Sequence, residues 1–447
     1  MNALDAGRKH IAVLGGGISG LTSAYRLAQS GCRVTLLEAS SELGGLGGTF
    51  EHEGSVMERF YHVMLNSDDH LLGLLDELKL SSRVEWRETK MGFLYGGRMY
   101  PFNTPVDLLR FGGLSIGGRL RTAMGAAYTA KLLRDPAGLD ETPVSDWLRG
   151  IYGAQVFERL WKPLLRAKFG DLYEKVPAYW FWSRLRREKS GAKEVKGYMS
   201  GGYREIAGQL RAAIERMGGV VRTGTPAEAL RETLNGPEVM TGAGWESFNA
   251  VVSTLPLPQL AGIARGWLQP LVPHRDLLHQ GVVNVVALCR KSVMPYYWAA
   301  VVKDGFPFQG VVETTHVVPP SQTGGRHLVY FLNYCSRDSQ LYNTPDAELK
   351  RQASEALEQI HPGYSPGMVE TMKVFRAPYV EPVWPLGYLS RKPEFRLGDS
   401  RVYISTTAHA YPQVNSWNTM VGVAIQASAQ LLHDLRRTER RPLERAA

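Results

Sequence analysis

Gly15, Gly17 and Gly20 stand in G-x-G-x-x-G spacing, and an acid, Glu38, closes the next apolar run. Those residue types can hold a dinucleotide. Gly15 suits a tight turn, Gly17 lets a pyrophosphate approach the backbone, and Gly20 lets a helix pack closely on a strand. Ile18 and Ser19 open that helix, so their N–H groups would face phosphate. Glu38, with Ala39 beside it, can accept both hydroxyls of an adenosine ribose.

The elements that must position these residues are legible around them. Ile11 to Leu14 reads as a buried strand and Val34 to Leu37 as a second. Between them Leu21, Ala24, Tyr25 and Ala28 recur at helical spacing, giving a strand–helix–strand unit. At 447 residues and 44% hydrophobic content the chain can hold a large core and two domains. No apolar run reaches the roughly 18 residues that span a bilayer. Met1 to His10 lacks an apolar signal region, so a cytoplasmic location is the expectation. Cys32, Cys289 and Cys335 lack metal-ligand spacing and read as reduced core thiols, with no metal site expected.

The formal charge of +9 is uneven. Arg110, Arg119, Arg121, Lys131 and Arg134 form one basic run, and residues 159–196 hold another that includes Arg166, Lys168 and Arg184. Such surfaces attract phosphorylated substrates or anionic lipid headgroups; otherwise they are solvated helix faces. No nucleic-acid module is present, so nucleic acid is not an expected partner. From Leu114 to Leu133, Ile116, Leu120, Met124, Ala127 and Tyr128 alternate with basic residues. This reads either as a helix lying on a membrane surface or as a core-facing helix with a basic outer side.

After Glu38 comes a second glycine run, Gly44-Gly45-Leu46-Gly47-Gly48-Thr49, which a plain NAD dehydrogenase does not need. Further segments are Gly201-Gly202 before a helix, Thr225-Pro226-Ala227, Thr254-Leu255-Pro256, and Ser405-Thr406-Thr407 before a last helix. Together they resemble the flavoprotein amine oxidase superfamily, in its protoporphyrinogen oxidase-like and UDP-galactopyranose mutase-like members. The resemblance implies an α/β fold with a discontinuous Rossmann-like FAD-binding domain of the GR2 type, a mixed-sheet substrate domain and a helical insertion. Residues 1–90, 197–265 and 390–435 would bind FAD, 104–196 would be the insertion, and 266–389 the β-rich substrate domain. Residues 436–447 read as a charged tail without order. Arginines usual in the second glycine run are replaced by Leu43 and Leu46.

The same resemblance implies contacts. Gly44 to Thr49 would lie along the flavin, Ala227 and Thr254 would serve the adenosine and its turn, and the hydroxyls of Thr406 and Thr407 the pyrophosphate. Asn418, Thr419 and Met420 would point N–H groups at the flavin N1–O2 edge. No cysteine lies near Trp417, so the FAD would be non-covalent. His62 would touch flavin N5 or orient substrate, unless it is a hydrogen-bonded structural histidine. Trp417, Tyr379 and Tyr411 would form an aromatic cage with Trp384, or simply pack. Arg166, Lys168 and Arg376 would bind an anionic substrate, or form structural ion pairs. The lysine that many amine oxidases carry on the strand Val282 to Leu288 is missing.

The function expected is an FAD-dependent oxidoreductase in a biosynthetic pathway, taking hydride from a substrate C–H or C–N–H bond onto flavin N5. Its substrate would be small or lipid-like, with peripheral membrane contact open. A redox-neutral mutase or isomerase acting on a nucleotide sugar or lipid-linked sugar is the first rival. A non-catalytic flavin-binding protein, with its cavity closed off from N5, is the second.

Overall fold

A computed structural model describes residues 8–129, 136–187, 195–301 and 305–444; Lys131 and Arg134 of the first basic run, and residues 445–447, lie outside them. In chain order come β1 (His10–Leu14), α1 (Ile18–Gln29) and β2 (Arg33–Leu37), then the hairpin β3 (Met91–Tyr95) and β4 (Arg98–Pro101). Helices α2 (Ile116–Ala127), α3 (Lys162–Phe169) and α4 (Ala178–Arg187) follow, then β5 (Val195–Met199), α5 (Tyr203–Arg216), β6 (Val220–Arg222) and β7 (Ala250–Ser253). Next are β8 (His279–Cys289), β9 (Trp298–Val301), β10 (Gly310–Glu313), β11 (His327–Cys335), α6 (Asp346–Ile360) and β12 (Val369–Pro382). The chain closes with β13 (Val402–Ile404) and α7 (Trp417–Glu444).

Among the described residues, β6, β2, β1, β7 and β13 form one sheet in that order, parallel throughout. Its strands come from three distant stretches of chain. Ile11, Ala12, Val13 and Leu14 are all buried, the continuous apolar run of a parallel strand covered on both faces. Helix α1 packs against α5 and α7. Chain connections diverge to either side of β1, so a crevice opens beyond the carboxyl ends of β1, β2 and β7, where open α/β sheets take ligands.

The second sheet runs β12, β8, β11, β10, β9, β3, β4 and is mixed, with β9 and β3 parallel. Hairpin β3–β4 precedes the helical insertion in sequence yet forms this sheet's edge. Residues along β8 alternate: Val286 and Leu288 join the core shared with the first sheet, while Val283, Val285 and Ala287 pack with Leu349, Ala353 and Leu357 of α6. That two-residue period gives the sheet one face toward the cavity and one toward α6.

One expectation is corrected, and one left open is decided. The stretch from Arg436, read as a disordered tail, continues α7 to Glu444. Arg, Glu and Leu are good helix formers, and extending an existing helix avoids the cost of nucleating one. The apolar residues of α2 do not face the core: Gly118, Thr122 and Gly125 do.

Candidate functional site

The turn from β1 into α1 tolerates only glycine at two places. Gly15 has φ +103°, and a Cβ there would fall 2.4 Å from Thr254 Oγ1. A Cβ on Gly20 would fall 1.8 Å from the Gly15 carbonyl oxygen. The Thr254 hydroxyl donates to the Leu14 carbonyl at 2.8 Å, tying β7 to the turn. Helix α1 starts at Gly17 without a side-chain cap, leaving its first N–H groups and positive dipole end for a ligand. Glu38 is aimed by its neighbours: its carboxylate accepts from the Gly16 N–H at 2.5 Å and the Ser40 N–H at 2.7 Å.

The second glycine run folds back onto this turn. The Gly44 N–H donates to the Gly16 carbonyl at 2.8 Å, and a Cβ on Gly45 would lie 3.2 Å from Gly17 Cα. Gly47 lies under Trp417, whose ring a Cβ there would meet at 2.5 Å. Arg59, to which the motif reading gives no role, holds the run from outside. Its Nε donates to the Thr49 carbonyl at 2.7 Å, its guanidinium pairs with Glu42 at 3.0 Å, and its N–H donates to the Gly48 carbonyl at 3.0 Å. Arg59 thus braces the run from the end of the next hairpin without lining the cavity.

One cavity of about 860 Å³ begins here. Gly15, Gly17, Ile18, Ser19, Glu38 and Ala39 line its first part, with Gly44, Gly45, Leu46, Ala227, Thr254 and Thr407. Gly20, Gly47, Gly48 and Thr49 lie behind that wall as packing positions. Ser19 bonds Ser405 through its hydroxyl at 2.7 Å, and Thr406 turns its hydroxyl to the Ala408 N–H at 3.3 Å. A cradle that Cβ atoms would fill, an uncapped helix start and an aimed carboxylate fit an FAD: pyrophosphate at α1, ribose at Glu38, and the flavin beside Gly44 to Leu46.

At its other end the cavity is lined by His62, Trp417, Tyr203, Tyr379, Lys168 and Met420, and also by Tyr61, Arg184, Lys196, Tyr334 and Glu381. His62 donates from Nδ1 to the Phe60 carbonyl at 2.9 Å, which leaves Nε2 as an acceptor. Burial lowers its pKa to about 4, so the imidazole is neutral at pH 7. Its ring lies 5.1 Å from Tyr203 and 6.1 Å from Trp417. Glu58, itself buried, accepts from the Tyr203 N–H at 3.0 Å and the Tyr198 hydroxyl at 2.5 Å; desolvation raises its pKa.

Lys168 reaches this end from α3. It pairs with buried Glu381 at 2.8 Å and sits 3.8 Å over the Tyr334 ring. The Tyr61 and Tyr334 hydroxyls hydrogen-bond each other, and burial pushes both pKa values up. The alternation of β12 explains which of its residues take part. Tyr379 and Glu381 share the cavity side, whereas Arg376, opposite Val283, faces α6. Arg376 binds the Tyr342 and Thr344 carbonyls and Asp346 there, at 2.6–2.8 Å, and does not line the cavity.

Four more sequence candidates, Arg166, Tyr411, Asn418 and Thr419, stand away from the cavity lining. Arg166 is exposed on α3. Tyr411 is fully buried, donates to Asp140 and packs on Trp384, Tyr388 and Tyr179. Asn418 accepts from the Leu71 N–H at 3.0 Å. The N–H groups of Thr419 and Met420 are taken by the Ser416 hydroxyl and carbonyl. The cavity wall before α7 is instead Val414, Asn415 and Ser416. Arg184 and Lys196 fall in the basic stretch already visible in sequence, and Tyr61 adjoins His62; nothing in the sequence marks Glu381 or Asn415.

Comparison with known proteins agrees with this geometry. A mitochondrial protoporphyrinogen oxidase of Nicotiana tabacum is 25% identical over 182 residues, covering 38% of this chain and 36% of that one. A coproporphyrinogen III oxidase of Bacillus subtilis (strain 168) is 27% identical over 189 residues, 39% of each chain. The chain thus matches well under half the length of these relatives. The crystal structure of a reduced UDP-galactopyranose mutase superposes with a TM-score of 0.72 at 16% identity, covering 95% of this chain and 96% of that one, a likeness of fold. The family model for flavin containing amine oxidoreductases matches residues 18–414, from the first turn of α1 to the wall before α7. That span takes in most of the chain and the whole second glycine run, so the chain belongs to the flavin containing amine oxidoreductases.

Proposed function

We propose that the protein is an FAD-dependent oxidoreductase of biosynthesis whose substrate is an anionic small molecule bound near His62, Lys168, Arg184 and Lys196. The supporting observation is the continuity of one cavity from the carboxylate of Glu38 to these three cations. Bound FAD supplies an acceptor for hydride from a substrate C–H or C–N–H bond. The residues do the rest. The start of α1 and Glu38 hold the dinucleotide, and Arg59 keeps the second glycine run in shape. Lys168, Arg184 and Lys196 draw in a carboxylate or phosphate and fix its direction. His62, neutral, offers Nε2 as an acceptor between Tyr203 and Trp417. Tyr61, Tyr334 and Tyr379 exclude water from that end.

The three cations equally favour a second reading, a redox-neutral enzyme acting on a nucleotide sugar or lipid-linked sugar. The test is anaerobic mixing of flavin-loaded protein with porphyrinogens, polyenes, amines and nucleotide sugars, read by the visible flavin absorbance. Bleaching by an anionic member supports the proposal. Bleaching by amines or neutral polyenes alone overturns the anionic substrate. Conversion of a nucleotide sugar by pre-reduced protein, without consumption of an acceptor, selects the second reading. Protein that binds no flavin ends both.

A further inference from the structure

Lys168 does not meet the cavity as a bare cation. Its ammonium lies 2.8 Å from Glu381, whose side chain is 2% exposed, and 3.8 Å over the Tyr334 ring. Among the described residues, Glu381 is the only acid that lines this end of the cavity. An anion that approaches Lys168 therefore approaches Glu381 as well. Two anionic oxygens around one ammonium repel each other strongly where water is excluded. Where two acids share such a place, one of them keeps a proton.

Gln280 offers that proton a place. It stands opposite Glu381 in the register between β8 and β12, so the two side chains rise on the same side of the sheet. Its Nε2 donates to the Lys168 carbonyl, which settles which end of the amide is oxygen. Its Oε1 is buried without a hydrogen-bond partner, a costly state for a polar atom. An ionised Glu381 cannot relieve it, because carboxylate and amide oxygens both accept. A protonated Glu381 can, because its carboxyl then has an O–H to donate. Beyond Lys168, the carboxylate of Glu381 accepts only a long bond, from the Asn415 N–H at 3.4 Å.

We propose that an anionic substrate group binds Lys168 together with one proton: the anion takes the place of Glu381 on the ammonium, while Glu381 takes a proton from solvent and donates it to Gln280 Oε1. This rests on the anionic substrate inferred above and adds a rule of selection to it. For a singly charged group, Lys168 is matched by one negative charge both before and after binding. Affinity for such a group then rises as pH falls. The groups around Glu381 do not add to that dependence near neutrality. Burial pushes the pKa of Tyr61 and Tyr334 up and that of His62 down to about 4. His279, against the Tyr379 ring, is lowered by burial too. Arg184 in the cavity and Arg337 on the Tyr379 hydroxyl carry fixed charges, and Lys196 stands over the Tyr297 ring.

The experiment titrates flavin-loaded, full-length protein with benzoate and with methanesulfonate, monoanions that do not titrate near neutrality. The perturbation of the visible flavin band gives Kd between pH 6 and pH 8. In wild-type protein Kd is expected to rise with pH, by up to about tenfold per pH unit for one coupled proton. Glu381→Gln, neutral at every pH, should bind both anions more tightly at pH 8 and with a Kd that no longer depends on pH. Gln280→Leu should keep the slope but bind about tenfold more weakly, having lost the acceptor for the proton. A flat wild-type Kd overturns the proposal while leaving the anionic substrate standing. So does a Glu381→Gln protein that keeps the wild-type slope, or a Gln280→Leu protein that binds as wild type does. Wild-type protein that binds neither anion, or that Lys168→Met matches in affinity, overturns the anionic substrate and this inference with it.

Discussion

At the Glu38 end of the cavity the chain shapes its site with backbone; at the Lys168 end it does so with side chains. The first is four glycine approaches, a helix start and one carboxylate held by two N–H groups. The second gathers His62, Lys168, Arg184, Lys196, Tyr334 and Glu381 from separate elements. A backbone site forbids almost any addition of atoms. A side-chain site permits exchange of residues as long as charge and volume balance. The cofactor end is thus the less tolerant of substitution, and the other end is where specificity can change.

This contrast can be broken at either end. Gly20→Val is expected to do most: its Cβ would overlap the Gly15 carbonyl, and FAD affinity should fall on the order of 100-fold or more, about 2.7 kcal/mol. Purified variant with full flavin absorbance would refute the backbone argument. Lys168→Met comes next, because it leaves Glu381 buried without its cation at a cost of roughly 3 kcal/mol. Thermal denaturation should show the loss, and adding Glu381→Gln should recover stability but not affinity for an anionic substrate.

The third test uses pH. His62 and His409 both titrate near pH 4 when folded, against 6.5 for a free histidine, because burial disfavours the charged ring. The unfolded chain then binds more protons below pH 6.5, so stability is complete above that value and is lost as pH falls toward 4. Each ring accounts for roughly 2 kcal/mol at pH 5. In His62→Gln, the fall in unfolding free energy between pH 7 and 5, read from denaturant titrations, should be smaller by that amount; an unchanged fall would mean that the ring is not buried neutral. Glu38→Gln should do least, about tenfold weaker FAD binding, or ~1.4 kcal/mol, measured by flavin titration.

How much of this was legible in the sequence follows the same division. Glycines at fixed spacing report a backbone requirement, so the β1–α1 turn and the second glycine run could be read from Gly15 to Thr49. Helix α6 follows the helical period that Leu349, Ala353, Ala356, Leu357 and Ile360 carry in the sequence. Arg376 was misleading because its role depends on which face of β12 it occupies, and a bulge between Gln280 and Val282 in the β8 pairing obscures that count. Glu381 carried no signal at all, because its meaning comes from Lys168, more than 200 residues earlier in the chain. The stripe on α2 was visible as a period, but a period alone does not say which side meets the core. The two glycines and the threonine that do so have little apolar weight.

The five-stranded sheet also has a consequence in time. β1 pairs with β7 and, through it, with β13, about 390 residues later. At the usual 5–20 residues per second of synthesis, the sheet that β1 begins waits on the order of 20–80 s for its last strand. Until β13 is made the outer edge of β7 lacks its partner strand, and until α7 is made α1 lacks one of the helices it packs against. A chain cut short before β13 therefore lacks both the last strand of the sheet and the Thr407 wall of the cavity that follows it.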